Sequence, residues 1–287
     1  MVKFALSVLF TGLVVMSCGK KDNSKNFSSP KGYDLLDPVI IHLRTDLDEI
    51  SGIQYYPKDT SIFAINDELG FLYKIFVRKK IVIKSYRFSA EADYEDVVML
   101  DSTFYTLKSN GDITTVKIIS GKPTQTEDFN INLQGKNEFE TLYLDQELRK
   151  LMLICKDCTG DSKKEISVYS FDPLDLSYSK EPAYVIDAAA IKDELGNKSQ
   201  KFKPSAAAIH PISKEIYIVS AVAGALVIAD KEGSIKGVHK LNPAFFKQPE
   251  GLTFTPNGDL LISNESAEIG AGNILIFKYK PLVNEKG

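Results

Sequence analysis

Short phrases that begin with Glu or Ser and continue as an alternating apolar run recur five times along the 287-residue chain. Three of them begin with glutamate, at Glu95, Glu140 and Glu250, and two begin with serine, at Ser51 and Ser205. Carboxylates brought together from several phrases would supply oxygen ligands for a hard cation such as Ca²⁺, which takes about 6–8 of them. The chemistry to expect is cation binding, provided that the fold places these residues at one point.

The five phrases are spaced as repeats of one unit, with intervals of 44, 45, 65 and 45 residues between their first residues. Each phrase is followed by further short β-rich runs, separated by turn residues such as Asn110-Gly111. Four short strands in about 45 residues are typical of a β-propeller blade. We therefore predict an all-β fold, a β-propeller with five four-stranded blades.

The long third interval leaves six blades as the alternative, if that interval contains a degenerate blade. We assign its surplus instead to a polar loop over residues 156–165 and to residues 188–202, which contain a short helix ending at Gly196. The run over residues 38–43 belongs to no blade. Pairing this N-terminal strand with the last blade closes the ring and leaves no exposed sheet edge there.

The predicted topology places the candidate site at one end of the channel. The start of each innermost strand and the end of the second strand share that end, because the two strands are antiparallel. The predicted metal ligands there are Glu95, Glu140, Glu250 and Asn66, and the predicted ligand-binding residues are Asp67, Glu68, Asp96, Asn264 and Glu265. In the alternative interpretation, each phrase-initial glutamate accepts hydrogen bonds from backbone N–H groups of its turn or of the neighbouring blade.

Several of these motifs together resemble the SdiA-regulated family of bacterial propellers. They are residues 48–53, 66–68, 94–96, 139–142 and 249–252 with 263–265. The likeness spans about residues 38–280, but the fourth repeat departs from it, with Lys203-Pro204-Ser205-Ala206 where an acidic residue and Ser-Gly are expected. The resemblance implies a propeller fold and an envelope location, and it implies no particular activity.

The first residues predict export and lipidation. Residues 1–17 combine Lys3 with an apolar run, and Val15-Met16-Ser17 before Cys18 resembles a bacterial lipobox. We predict a lipoprotein signal peptide over residues 1–17, a lipidated Cys18 with a polar tether over residues 18–34, and a propeller domain over residues 35–282. Acyl chains on Cys18 would anchor the protein to the membrane without a spanning helix. Gly19 after the cysteine favours the bacterial outer membrane.

Cys155 and Cys158 form a lone C-x-x-C motif. A turn-closing disulfide fits an oxidising compartment, and a pair of free thiols is the alternative. A zinc site is weakly indicated, because no second pair or nearby histidine completes it. His210, directly before Pro211, is interpreted as structural.

The formal net charge of −3 at pH 7 provides no basic face for nucleic acid. Sequence signatures of the serine and zinc hydrolases are missing. The favoured function is therefore a lipid-anchored, monomeric envelope propeller that binds a small ligand, a cation or an envelope protein without catalysis. The alternative, from fold-level analogy, is a Ca²⁺-dependent hydrolase of lactones or phosphate esters that uses the predicted acidic residues at one end of the channel. A third interpretation is a structural lipoprotein within an outer-membrane assembly.

Overall fold

The structure is a computed structural model that describes residues 27–77, 81–196, 199, 201–266 and 271–281. The predicted signal peptide, Cys18 and the first part of the predicted tether lie outside the described residues.

Five antiparallel sheets surround a central channel, and consecutive strands along the chain pair in order within each blade except the third, whose last two strands both pair with its third strand. The closing strand is β1 (Val39–His42). Blade 1 contains β2 (Ile50–Tyr56), β3 (Ser61–Asn66), β4 (Phe71–Phe76) and β5 (Ile81–Arg87). Blade 2 contains β6 (Tyr94–Leu100), β7 (Thr103–Lys108), β8 (Ile113–Ile119) and β9 (Lys122–Phe129).

Blade 3 is the longest and holds five strands. They are β10 (Asn137–Asp145), β11 (Lys150–Cys158), β12 (Glu165–Asp172), β13 (Ser177–Tyr178) and β14 (Tyr184–Asp187). The helix α1 (Ala188–Leu195) follows it. Blade 4 contains β15 (Ala206–Ile209), β16 (Ile216–Ser220), β17 (Ala225–Ala229) and β18 (Ile235–Lys240), and blade 5 contains β19 (Pro249–Phe254), β20 (Leu260–Asn264) and β21 (Asn273–Phe277).

Strand β1 completes blade 5 by pairing antiparallel with β21, from Val39 opposite Ile276 to His42 opposite Asn273. The innermost strands β2, β6, β10, β15 and β19 contact one another around the ring. The prediction of five blades closed by an N-terminal strand is therefore confirmed, and the six-blade alternative is wrong.

The surplus of the long interval lies in the loop after β11, in the extra short strand β13 and in α1. The predicted loop over residues 156–165 is shorter than expected, because β11 continues to Cys158 and β12 begins at Glu165.

Helix α1 begins because the Asp187 side chain accepts hydrogen bonds from the N–H groups of Ala189 and Ala190, each at 2.9 Å. It ends at Gly196, whose φ of 70° is the left-handed conformation that favours glycine. Among the described residues, no helix has the length and apolar character needed to cross a bilayer.

Aromatic side chains fill the spaces between neighbouring blades. Phe63 of blade 1 packs against Phe104 of blade 2 with ring centroids 4.5 Å apart. His210, directly after β15 of blade 4, packs against Phe254 of blade 5 with ring centroids 5.0 Å apart. His210 is 1 % exposed, and its Nδ1 accepts a hydrogen bond from the N–H of Ser213 at 2.9 Å, so its role is structural.

The N-terminal segment over residues 27–34 lies against the propeller, although the sequence places it in the tether. Tyr33 is 8 % exposed, donates a hydrogen bond from its hydroxyl to the carbonyl of Gly258, and lies 2.8 Å from Nε2 of His210. The N–H of Lys280 donates to the carbonyl of Gly32 at 2.8 Å. The packed body thus begins before residue 35, because an aromatic residue near the end of the polar stretch fills a pocket between blades 4 and 5.

Candidate functional site

The innermost strands of four blades carry a β-bulge close to their first residue. The residues left without a cross-strand partner are Glu95 in β6, Glu140 in β10 and Glu250 in β19. In β2 the irregularity falls between Ile50 and Ile53, a stretch that contains Ser51. A bulge redirects the side chain of its extra residue, and all four of these residues line the mouth of the channel. The repeated phrase therefore encodes a repeated bulge.

The mouth is a half-enclosed cavity of about 480 Å³ that receives residues from all five blades. Six carboxylates and two ammonium groups line it. The carboxylates belong to Asp67, Asp93, Glu95, Glu140, Glu250 and Glu265, and the ammonium groups belong to Lys156 and Lys247. The sequence-predicted residues Glu95, Glu140, Glu250, Asp67 and Glu265 are thus brought together.

One of the three bulged glutamates has a cationic partner. Lys156 is itself an extra residue on β11, because Asp157 pairs with Glu138 and Cys155 pairs with Phe139. The two opposed bulges place the Lys156 ammonium against the Glu140 carboxylate in an ion pair. Lys156 also lies between Cys155 and Cys158, which the structure joins in a disulfide with Cα atoms 6.0 Å apart.

Glu95 and Glu250 have no ion pair or hydrogen bond to their carboxylates within the described part of the chain. Burial raises the pKa of Glu95 to about 8, with the charge of Asp93 adding to the effect and that of Lys156 opposing it. Burial likewise raises the pKa of Glu250 to about 7, with the charge of Glu265 contributing. Both groups have poorly compensated negative charge in a partly desolvated space.

Asp67 and Glu265 extend this acidic side of the mouth. Burial, followed by the charge of Glu49, raises the pKa of Asp67 to about 6. The Asp67 Oδ1 atom is buried without a hydrogen-bond partner among the described residues. The pKa of Glu265 is also raised by burial and by Asp67, and its Oε2 accepts a hydrogen bond from Nε2 of Gln248 at 3.2 Å.

Asn66 was predicted as a metal ligand and is placed elsewhere. Its Oδ1 accepts hydrogen bonds from the N–H groups of Glu68 and Leu69, at 3.1 and 3.0 Å, and so caps the turn after β3. Glu68 is exposed and does not line the cavity. Both predictions are corrected, because the residues at the end of β3 serve the turn and leave only Asp67 at the mouth.

Asp96 and Asn264 were predicted to bind ligand, and neither lines the mouth cavity. Asp96 is 3 % exposed and accepts hydrogen bonds at 2.8 Å from the N–H of Val97 and from the N–H of Leu142 in the next blade. Burial raises its pKa well above the usual range, and the two hydrogen bonds oppose this. The carboxylate that joins backbone groups of two blades is therefore Asp96, one residue after the phrase-initial glutamate.

Asn264 is fully buried and holds its own blade together. Its Nδ2 donates to the carbonyl of Phe245 at 3.3 Å and to Oδ1 of Asn273 at 3.0 Å. The prediction of a ligand contact here is corrected, because the side chain points into the packing around β20 and β21.

The spacing of the mouth carboxylates limits how a metal ion is held. Across the described residues, the one set of three His, Cys, Asp or Glu side chains with ligand atoms within 4.8 Å of one another is Cys155, Cys158 and Asp161. Among the described residues, the carboxylates at the mouth are too far apart for one cation to contact three of them directly. An ion there would be held by fewer protein oxygens and would keep water among its ligands.

The motifs of the sequence do not point to three of the polar lining residues, namely Asp93, Lys247 and Gln248. Asp93 lies just before β6, and Lys247 and Gln248 lie just before β19. These residues can be found from the sequence, because the loop that joins two blades ends at the same end of the channel at which the next innermost strand begins.

Solved structures with the same fold carry diverse descriptions. A calcium-binding regucalcin from Agrobacterium tumefaciens is 13% identical with a TM-score of 0.52, covering 87% of this chain and 95% of its own. A gluconolactonase from Xanthomonas campestris is 12% identical with a TM-score of 0.51, covering 85% and 90%. Hydrazine synthase from Kuenenia stuttgartiensis is 11% identical with a TM-score of 0.51, covering 84% and 98%. At these identities the likeness shows a shared fold alone.

A search of curated proteins found no match to the chain. The sequence model of the SdiA-regulated family matches residues 40–268, including all five innermost strands. The chain therefore belongs to the SdiA-regulated family.

Proposed function

We propose that this protein is a lipid-anchored propeller of the bacterial envelope that binds a cation at its mouth without catalysing a reaction, and we name Ca²⁺ as the ion to test. The observation that carries the proposal is the set of six carboxylates facing two ammonium groups in one cavity. One ammonium group, that of Lys156, is already paired with Glu140. Among the described lining residues, the other five carboxylates face only one further ammonium group, that of Lys247, so a bound cation would compensate their charge.

The donor chemistry fits this ion. Ca²⁺ prefers oxygen ligands and accepts irregular coordination completed by water. The mouth supplies carboxylate oxygens, including the unpartnered Oδ1 of Asp67. Glu95 and Glu250 have their pKa values raised to about 8 and about 7 because their charges are poorly solvated, and a bound cation would relieve that cost. The calcium-binding description of the regucalcin structure is consistent with the same ion in this fold.

The cation test compares thermal unfolding of residues 19–287 in EDTA and in millimolar Ca²⁺. A ligand at 100 times its Kd stabilises the folded state by about 2.7 kcal/mol. For a domain of this size we expect the unfolding midpoint to rise by several degrees, about 2–4 °C per kcal/mol. Glu95→Gln and Glu250→Gln should each lose much of the rise. Glu68→Gln, next to Asp67 but exposed and outside the cavity, is the matched control and should keep it.

A midpoint that does not move with Ca²⁺ would refute the choice of ion. An equal rise in the wild type and in both glutamate variants would move the binding site away from the mouth.

The envelope location is a separate part of the proposal and rests on the lipobox-like residues before Cys18. In fractionated cells we expect the wild type in the outer membrane and Cys18→Ala in the soluble fraction. Retention of Cys18→Ala in the membrane fraction would contradict lipid anchoring.

A Ca²⁺-dependent hydrolase of lactones or phosphate esters is the second candidate. One observation favours it: Glu95 and Glu250 have pKa values near neutrality, the range in which a carboxyl group exchanges protons efficiently during catalysis. The gluconolactonase with the same fold makes lactones the first compounds to test. Calcium-dependent hydrolysis that Glu95→Gln abolishes would replace the non-catalytic proposal by this one.

A further inference from the structure

We propose that Cys155, Cys158 and Asp161 form a second, redox-gated site, which binds a thiophilic divalent cation such as Zn²⁺ when the cysteines are reduced. The structure holds the two cysteines as a disulfide, so the disulfide and the metal-bound dithiolate are alternative states of the same residues. The sequence motif supplies two ligands, and the fold adds the third.

The fold brings Asp161 back to the cysteines through a turn at the end of β11. The N–H of Asp161 donates to the carbonyl of Cys158 at 3.0 Å. Both sulfurs and a carboxylate oxygen then lie within 4.8 Å of one another. Zinc bonds of about 2.3 Å to sulfur and about 2.0–2.2 Å to oxygen place the ligand atoms of a tetrahedral site about 3.5–3.8 Å apart. The two sulfurs move apart to that spacing once the disulfide is reduced. Three ligands are therefore already grouped closely enough for one small ion.

Asp161 is also held in place by a neighbour. The N–H of Ser167 on β12 donates to its Oδ1 and Oδ2, at 3.1 and 3.2 Å. Such outer hydrogen bonds orient carboxylate ligands in metal sites. Both cysteines are buried while Asp161 is half-buried, so one side of the group stays open for a water molecule as a fourth ligand.

The charged groups around the cysteines are paired with one another. Lys136, Lys156 and Lys203 form ion pairs with Glu138, Glu140 and Asp157. None of the three proposed ligands lines the mouth cavity, and the site is chemically distinct from the acidic mouth.

Conversion between the two states requires a dithiol reductant of the thioredoxin type. The S–S bond of Cys155 and Cys158 takes up two electrons and two protons and becomes two thiols, while the reductant becomes a disulfide. Metal binding then releases the proton of each thiol to solvent as the two thiolates form.

The experiment uses Co²⁺ as a spectroscopic probe on residues 19–287, which lack Cys18 and so contain Cys155 and Cys158 as the only thiols. The protein is reduced with a phosphine, freed of reductant without oxygen, and titrated with Co²⁺ followed by Zn²⁺. We expect a sulfur-to-cobalt charge-transfer band that saturates at one equivalent and disappears on addition of Zn²⁺. The oxidised protein should show no such band, and carboxylates at the mouth cannot produce it.

Asp161→Asn keeps an acceptor for Ser167 and removes the charged ligand, so it should weaken Co²⁺ binding by about 10-fold or more. Asp157→Asn replaces an exposed carboxylate at the end of β11 that pairs with Lys203, and this matched control should bind Co²⁺ as the wild type does. Far-UV circular dichroism shows whether each variant is folded. No charge-transfer band in the reduced wild type, or equal affinity in folded Asp161→Asn, would overturn the proposal.

Discussion

Replacing Glu95 by glutamine should remove a pH-dependent cost from the folded protein. Burial and the charge of Asp93 raise the pKa of Glu95 from 4.5 to about 8. Between these two pH values the folded state keeps a proton that the unfolded state has released. The unfolded state then binds fewer protons, so stability falls as the pH rises through this window.

The size of the effect follows from the shift. One pKa unit corresponds to about 1.4 kcal/mol, so the shift of Glu95 corresponds to a cost on the order of 5 kcal/mol above pH 8, as an upper bound. The neighbouring carboxylates titrate together with Glu95 and share this cost. We expect Glu95→Gln to match the wild type near pH 5 and to exceed its unfolding free energy by at least about 1–2 kcal/mol at pH 8.

The assay is urea unfolding in EDTA at pH 5, 6.5 and 8. The chain has no tryptophan, so far-UV circular dichroism is the suitable signal. Glu140→Gln is the contrasting variant, because it loses the ion pair with Lys156 and should gain no stability at pH 8. If Glu95→Gln were as pH-dependent as the wild type, or less stable at pH 8, the carboxylate would not be in the desolvated, acidic surroundings described above.

Three further predictions concern the joints between blades. Gly52→Ala should lower the unfolding free energy by about 1–3 kcal/mol, because its new Cβ would lie 2.2 Å from Oδ1 and 2.5 Å from Cα of Asp96. Urea unfolding measures this change, and an unchanged urea midpoint would contradict the close contact. Asp96→Asn should cost about 1–3 kcal/mol in the same assay, because its amide cannot accept from both Val97 and Leu142. Tyr33→Phe should reduce the unfolding free energy by about 1 kcal/mol, measured as a lower thermal midpoint, because it loses the hydrogen bond to the Gly258 carbonyl. The rise of the midpoint with Ca²⁺ should stay unchanged; an altered rise would link the N-terminal segment to the mouth.

The blade pattern could be predicted from the sequence because each blade repeats the same chemistry. The alternating apolar runs specify strands, and residues such as Gly196 specify where elements stop. Ring closure was predictable as well, because the strand over residues 38–43 has no blade of its own and the last blade lacks a fourth strand, so the two can pair.

The residues of the site were predicted less completely, and the bulge explains why. Strict alternation along β6 puts Glu95 and Asp96 on opposite faces of the sheet, but it does not say which of them faces the cavity. The bulge directs Glu95 into the cavity, and Asp96 instead accepts a hydrogen bond from the N–H of Leu142 in the next blade. The sequence also cannot show that the oxygen of Asn66 is used by its own turn. Asp93 was missed because it precedes the repeated phrase instead of lying within it.

The docked N-terminal segment has a mechanical consequence for a chain that is held at its N-terminal end. Any pulling force entering there reaches residues 27–34 before it reaches β1, whose loss would open the ring. Ser28 is hydrogen-bonded to His239 on blade 4 at 2.8 Å, and Tyr33 is hydrogen-bonded to Gly258 on blade 5. The force is therefore passed to two blades at once, and the closing strand is shielded from being peeled away from β21.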